Sequence, residues 1–251
     1  MITKRQLAEF ARKNYIGQYY QEKDYLQTTF LYAIYRITDK IMLKGGTCLK
    51  LAYKYPRFSE DLDFNSTLEP KTLQRIVHRS LKDVALLGMG FSFDKEELFE
   101  ESYTARIRFK GPRFTGSRAS TNAIRLDIGA RGGTIQEPRW IQITPEYPDV
   151  PMFFLLTMTK EEILAEKLKA LSMRSASRDL FDAWCLIQDD VKIDHSLVKA
   201  KLDSVGMRFD EDGLKFPKKA EYERDLGNLL PMSSVPNYEQ VIGDVTRVIR
   251  R

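Results

Sequence analysis

The apolar periodicity changes character near residue 158, and that change constrains the fold more than any other feature of the chain. Before it, short apolar runs alternate with turn residues. Ile41-Met42-Leu43 reads as a buried strand, and Phe91–Phe93, Tyr103–Lys110, Ala123–Gly129, Trp140–Ile143 and Phe153–Thr157 read as further strands. Helical patterns flank them: two helices in the first forty residues, including Tyr25–Ile37, a short one over Cys48–Tyr55, and a long one over Glu69–Leu87 with Pro70 in its first turn. After Thr159, which with Glu162 spells a capping box, the spacing is helical almost throughout. Helices are expected to about Met173 and over Asp179–Ile187, His195–Val205, Ala220–Leu230 and Tyr238–Arg250. The expectation is an α+β fold: N-terminal helices over 1–40, a mixed-sheet core over 41–157, and a helical domain over 158–251.

Apolar residues make up 43% of the 251 and charged residues 30%, the balance of a globular protein with a real core. No apolar run approaches the ~18–20 residues that span a bilayer, so no membrane partner is expected and a cytoplasmic location is. Cys48 and Cys185 are too few and too far apart for a disulfide framework or, with His78 and His195, a zinc site. Any catalytic metal must therefore use oxygen ligands.

Charge is unevenly placed. Between Tyr103 and Trp140 stand Arg106, Arg108, Lys110, Arg113, Arg118, Arg125, Arg131 and Arg139 against only Asp127 and Glu137. Eight cations less two acids leave +6 of the total +5, so the remainder carries about −1. Such a strip suits a phosphate-rich ligand, and equally a solvated hairpin face.

The chemistry centres on Ser59-Glu60-Asp61-Leu62-Asp63-Phe64. On a strand, Asp61 and Asp63 project to one side while Leu62 and Phe64 face the core. Paired carboxylates repel, and a hard divalent cation relieves that conflict; Mg²⁺ is held by one or two carboxylates plus substrate phosphates. Asp127, between Leu126 and Ile128, has the same design and is the third candidate ligand. Upstream, Gly45-Gly46-Thr47 ends a buried strand and opens a helix, a turn whose backbone N–H groups suit phosphate.

Leu43-Lys44-Gly45-Gly46-Thr47 followed by Arg57-Phe58-Ser59-Glu60-Asp61-Leu62-Asp63-Phe64 resembles the AbiEii/AbiGii toxin family of the nucleotidyltransferase superfamily, with fourteen residues between Gly46 and Asp61. A second signature matches as Glu166-Lys167-Leu168-Lys169-Ala170-Leu171, Arg174 and Arg178-Asp179-Leu180-Phe181-Asp182, so the resemblance covers roughly residues 41–187. It implies a nucleotidyltransferase-like fold. It also implies transfer of a nucleoside monophosphate from a nucleoside triphosphate, with Mg²⁺ (or Mn²⁺) on Asp61 and Asp63; Asp127 as third ligand follows the wider superfamily pattern, since the third acid is less regular in this family. The acceptor it implies is RNA, with the tRNA 3′ end as first candidate, and the setting a toxin–antitoxin or phage-defence pair with a cognate antitoxin.

Gly45, Gly46, Thr47, Ser59 and Arg174 form the candidate nucleotide-binding set. Lys167 and Arg174 fall within the apolar face made by Ile163, Leu164, Leu168 and Leu171, where a cation needs an anionic partner. A bound triphosphate or the acid cluster would supply that partner, and the resemblance implies Lys167 as counter-charge to the triphosphate. On the next helix Asp179 is the expected site residue, with Asp182 nearer solvent and within reach of Arg178. Two other readings use the same residues: transfer to a protein hydroxyl, and a non-catalytic nucleotide- or RNA-binding protein. A phosphate on Ser59 would set a dianion beside the acids and should inhibit.

Overall fold

In the computed structural model, which describes residues 1–129, 134–211, 213–230 and 235–250, the elements run α1 (Lys4–Lys13), α2 (Gln18–Tyr35), β1 (Ile41–Lys44), α3 (Gly45–Leu51), β2 (Asp61–Ser66), α4 (Pro70–Leu86), β3 (Gly90–Leu98), β4 (Ser102–Lys110), β5 (Asn122–Gly129), β6 (Arg139–Ile143) and β7 (Phe153–Thr157). Then follow α5 (Lys160–Met173), α6 (Ser177–Gln188), α7 (His195–Asp203), α8 (Lys219–Gly227) and α9 (Tyr238–Ile249). The chain divides into two compact units. One comprises residues 1–54, 58–133 and 138–157; the other comprises residues 55–57, 134–137 and 158–251. The helices of the first forty residues thus belong to the sheet unit, and two short segments from earlier in the chain belong to the helical one.

The sheet unit is built on a seven-stranded mixed sheet of order β3-β4-β5-β2-β1-β7-β6. β2 lies at its centre, antiparallel to β1 and parallel to β5. The alternation legible in the sequence decides the faces. Leu62, Phe64, Ile124, Leu126, Ile128, Tyr103, Ile107 and Phe109 are buried on one face. Residues between them turn to the other, and that face carries the acids and most of the arginines.

β3 is longer than Phe91–Phe93 because its charged second half still pairs with β4, with a bulge between Phe93 and Lys95. Charged residues read as a turn, yet an edge strand tolerates and uses them. Helix α3 starts at the glycines themselves, three residues before the expected Cys48.

Helix α2 departs further from its sequence reading. Every residue from Gln21 to Leu31 is buried, polar ones included. Each buried polar group needs a partner. Glu22 accepts from the Arg113 backbone N–H at 2.7 Å and from Asn122 at 3.2 Å. Asp24 accepts from the Tyr147 hydroxyl at 2.6 Å and pairs with Lys50. Gln21 donates to the Tyr147 hydroxyl at 2.6 Å. Burial raises the pKa of Glu22 even though Arg113 and Asn122 pull against it. These partners are 26 to 126 residues away in the chain, so no local pattern announces them.

In the helical unit α6 is the hub, touching α5, α8 and α9. Val241, Val245 and Ile249, four residues apart, give α9 its buried stripe. The Trp184 indole N–H donates to Asp244 at 3.1 Å. The capping box of α5 is only half formed. Thr159 accepts from the Glu162 backbone N–H, but the Glu162 carboxylate turns instead to the N–H groups of Ile135 and Gln136 at 3.0 and 2.9 Å. It also meets the fully buried Lys201 at 2.6 Å. That carboxylate explains how residues 134–137 join this unit. Among the described residues no helix is long and apolar enough to cross a membrane.

Candidate active site

The sheet register assembles the acid row. Asp63 on β2 lies opposite Asp127 on β5, and Asp61 lies opposite Arg125. On the other flank of β2, Asp63 faces Lys44 of β1. Register partners point to the same face, so Lys44, Asp63 and Asp127 form one row across three strands, and Asp61 and Arg125 begin the next. Leu62 and Phe64 are 0% and 1% exposed, whereas Asp61 and Asp63 are half-buried. The burial of the strand's apolar face is what holds the carboxylates on the other.

Gly45 fits closely against this row. Its φ is +68°, in the left-handed region, and a Cβ added there would sit 3.1 Å from Asp63 Oδ2. Both facts require glycine. Replacing Gly45 with alanine is expected to cost about 1–2 kcal/mol in backbone strain and to push the Asp63 carboxylate aside. A thermal melt together with a turnover assay should show a modest loss of stability and a larger loss of rate. Gly46 is buried beside it.

Thr47 is 1% exposed, and its hydroxyl donates to the Asp61 carbonyl oxygen at 2.5 Å. It ties α3 to the first residue of β2, a structural duty that the sequence did not suggest. Ser59 lies before β2 rather than on it, and is 9% exposed. A phosphate there would first require local opening of the chain.

The donor set of the acid row is all oxygen, which suits a hard cation such as Mg²⁺. Among the described residues no three His, Cys, Asp or Glu side chains are gathered closely enough to hold an ion by themselves. An ion there would take one or two of these carboxylates and complete its shell with phosphate and water oxygens.

The second group of candidates lies in the helical unit and forms one ionic chain. Arg174 Nη2 is 2.9 Å from Asp179 Oδ2, and Lys167 Nζ is 2.9 Å from Asp179 Oδ1. Lys167 Nζ is also 2.8 Å from Asp182 Oδ2, and Arg57 Nε is 2.6 Å from Asp182 Oδ1. A second Arg57–Asp182 bond of 2.6 Å makes that pair bidentate. Three cations against two carboxylates leave one net positive charge.

Asp182 corrects the sequence reading. It is 1% exposed rather than solvent-facing, because α6 is covered on that side as well as on its apolar face. Arg57 and Lys167 are the partners that this burial requires. Arg174 corrects it in the other direction. Helix α5 ends at Met173, so Arg174 leaves the inward face in extended backbone and its side chain is 69% exposed. Lys167 is buried, as its place on the apolar face implied. Arg57 carried no assigned role in the sequence, since its partner lies 125 residues downstream.

Burial disfavours charge at each inner position, but the partners outweigh it. Asp182 and Asp179 hold Lys167 above its ordinary 10.5. Lys167 and Arg174 hold Asp179 below 3.8, and Arg57 and Lys167 do the same for Asp182. Burial, then Asp182, pushes the Cys185 thiol up to about 12, so it is an unreactive thiol.

The two depressed carboxylates contribute stability that is complete above 3.8 and lost as pH falls through their lower folded values. The raised lysine contributes stability that is complete below 10.5 and lost as pH climbs past its folded value. Chemical denaturation across pH should therefore show this contribution flat between roughly pH 4 and 10 and declining on both sides. A Lys167→Met variant should lose the alkaline decline.

Against known proteins, a family model described as "Nucleotidyl transferase AbiEii toxin, Type IV TA system" matches residues 29–240. No curated protein sequence matches. Among solved structures, the chain is similar to MenT4, the nucleotidyltransferase toxin Rv2826c from Mycobacterium tuberculosis H37Rv. Identity is 17%, TM-score 0.69, and coverage 99% of this chain and 89% of that one. It is also similar to JHP933 from Helicobacter pylori, at 19% identity and TM-score 0.61, covering 94% and 92%. These likenesses establish the nucleotidyltransferase toxin fold, and the family match spans the glycine turn, the acid row and the ionic chain alike. The chain belongs to the nucleotidyl transferase AbiEii toxin family, and is a nucleotidyltransferase of the type IV toxin–antitoxin class.

Proposed function

We propose that this enzyme transfers a nucleoside monophosphate from a nucleoside triphosphate to an RNA hydroxyl, with the tRNA 3′ end as the first acceptor to test. The observation that carries the reading is the register of Asp61, Asp63 and Asp127 on one sheet face beside the Gly45-Gly46-Thr47 turn. The acceptor oxygen bonds to the α-phosphorus, the bond to the β-phosphate oxygen breaks, pyrophosphate leaves, and the acceptor proton passes to water or a nearby base. Asp61 and Asp63 would hold Mg²⁺, with Asp127 beside them. When bound, that ion neutralises phosphate charge and stabilises the charge developing on the leaving oxygen.

The backbone N–H groups at the start of α3 would receive the triphosphate, since no side chain caps that turn. Ser59, in the segment leading into Asp61, joins Gly45, Gly46 and Thr47 in this set. For Lys167, Asp179 and Arg174 the proposed role is electrostatic. Their chain carries one net positive charge, and the Arg174 side chain is 69% exposed at its outer end, where an anion can reach it. A cytoplasmic setting and a cognate antitoxin complete the reading.

Purified protein, Mg²⁺ and each α-labelled nucleoside triphosphate should label total tRNA. Label on cell protein alone would favour a protein acceptor. Nucleotide binding with no label on either would favour the non-catalytic alternative.

A further inference from the structure

The acid row divides the open sheet face into two differently charged sides. On the β1 side lie Lys44 and the glycine turn. On the β5 side, Arg125 is the direct register partner of Asp61, and Arg106 is the register partner of Arg125. These residues stand roughly 5 and 10 Å from Asp61 across the strands. Arg108 and Lys110 continue the same face of β4.

The arginines on this side outnumber the acid they share, which Arg108 holds through two hydrogen bonds. Asp94, at the β3 bulge, is shared by Arg106, Arg108 and Arg118, with Arg106 Nε 3.7 Å and Arg118 Nη2 3.0 Å away. Arg125 is exposed and, among the described residues, has no ion-pair partner. Lys95 and Glu97 cancel each other at 2.7 Å. Arg106, Arg108, Lys110, Arg118 and Arg125 against Asp94 and Asp127 leave +3 on this side. Arg131 of the sequence strip lies outside the described residues.

Displacement at phosphorus runs in line, so the attacking and leaving oxygens occupy opposite sides of the α-phosphate. With the triphosphate tail at the glycine turn on the β1 side, the acceptor enters from the β5 side. We propose that the β5–β4 face, led by Arg125 and Arg106, carries the phosphodiester backbone of the RNA acceptor and brings its terminal hydroxyl to Asp61. This inference rests on the reading of the acid row given above. It adds which surface selects the acceptor, and why that acceptor is a polyanion. A protein hydroxyl brings no regular array of negative charge, and this face would give it no preference.

The test uses the full chain with tRNA as probe, and measures binding without nucleotide as well as transfer. Each phosphate contact to a single strand adds about 0.7 to the slope of log affinity against log salt, so at 0.1 M salt each lost contact weakens binding about fivefold. Arg125→Gln should therefore bind tRNA about fivefold more weakly, and the Arg106→Gln/Arg125→Gln double variant about 25-fold, with the salt slope lower by about 1.4. The KM for tRNA should rise in step while the KM for the nucleoside triphosphate stays within about twofold. Lys71→Gln, which removes an exposed charge from α4, should change neither.

Unchanged tRNA affinity and salt slope in the double variant would overturn the proposal, as would label transfer to protein that these variants leave intact. Failure of the catalytic reading has a different signature: wild-type protein would label nothing, yet its tRNA binding would still report on Arg125 and Arg106.

Discussion

Asp61→Ala should reduce transfer by at least about a thousandfold, about 4 kcal/mol of transition-state stabilisation, while leaving the fold intact. Asp61 is half-buried and lies on the face opposite the core. The contact that ties it to α3 is made by its backbone carbonyl with Thr47, and survives removal of the side chain. The variant's melting temperature should therefore hold. Asp63→Ala should likewise lose transfer. The combination of lost rate and kept stability is the signature of a group retained for chemistry. A melting temperature that fell in parallel with the rate would assign these acids to the fold instead.

Asp182→Asn should show the reverse balance. Asp182 is 1% exposed and takes a bidentate bond from Arg57 and an ion pair from Lys167. The asparagine leaves two buried cations short of a counter-charge, at a cost of about 3–5 kcal/mol. For a chain of this size that lowers the melting temperature by about 6–20 °C. Arg174→Gln, at the exposed end of the same ionic chain, should cost no more than ~1 kcal/mol because solvent screens its pair. Thermal denaturation of the two variants side by side reads the gradient directly. Equal losses would mean that the chain is not anchored at Asp182.

What the sequence made legible follows from the range of the interactions involved. The alternation of Asp61, Leu62, Asp63 and Phe64 is a period of two, and any strand converts it into one acidic and one apolar face. The switch to helical spacing after Thr159 is equally local, and so is the burial of Lys167, which follows from its place among Ile163, Leu164 and Leu171.

The misreadings share a different physical origin. Asp182 lies off the single apolar stripe that the periodicity of α6 shows, while a buried ion pair places this polar residue on a covered side. Arg57 could not be given a role from its neighbours, since its partner arrives from another element. The same holds for Glu162, whose carboxylate leaves the capping box for Ile135, Gln136 and Lys201, and for the buried polar residues of α2. Register was also out of reach. Asp127 was a candidate by composition of its strand, but only the pairing of β2 with β5 sets it opposite Asp63 and sets Arg125 opposite Asp61.

The central claim is that the acid row moves a nucleotidyl group, and the fate of two labels tests it most directly. With Mg²⁺ and tRNA, label on the α-phosphate should enter the RNA while label on the γ-phosphate leaves as pyrophosphate, and neither should occur with Asp61→Ala. Appearance of the γ-label in the acceptor, or α-label transfer undiminished in Asp61→Ala, would contradict it.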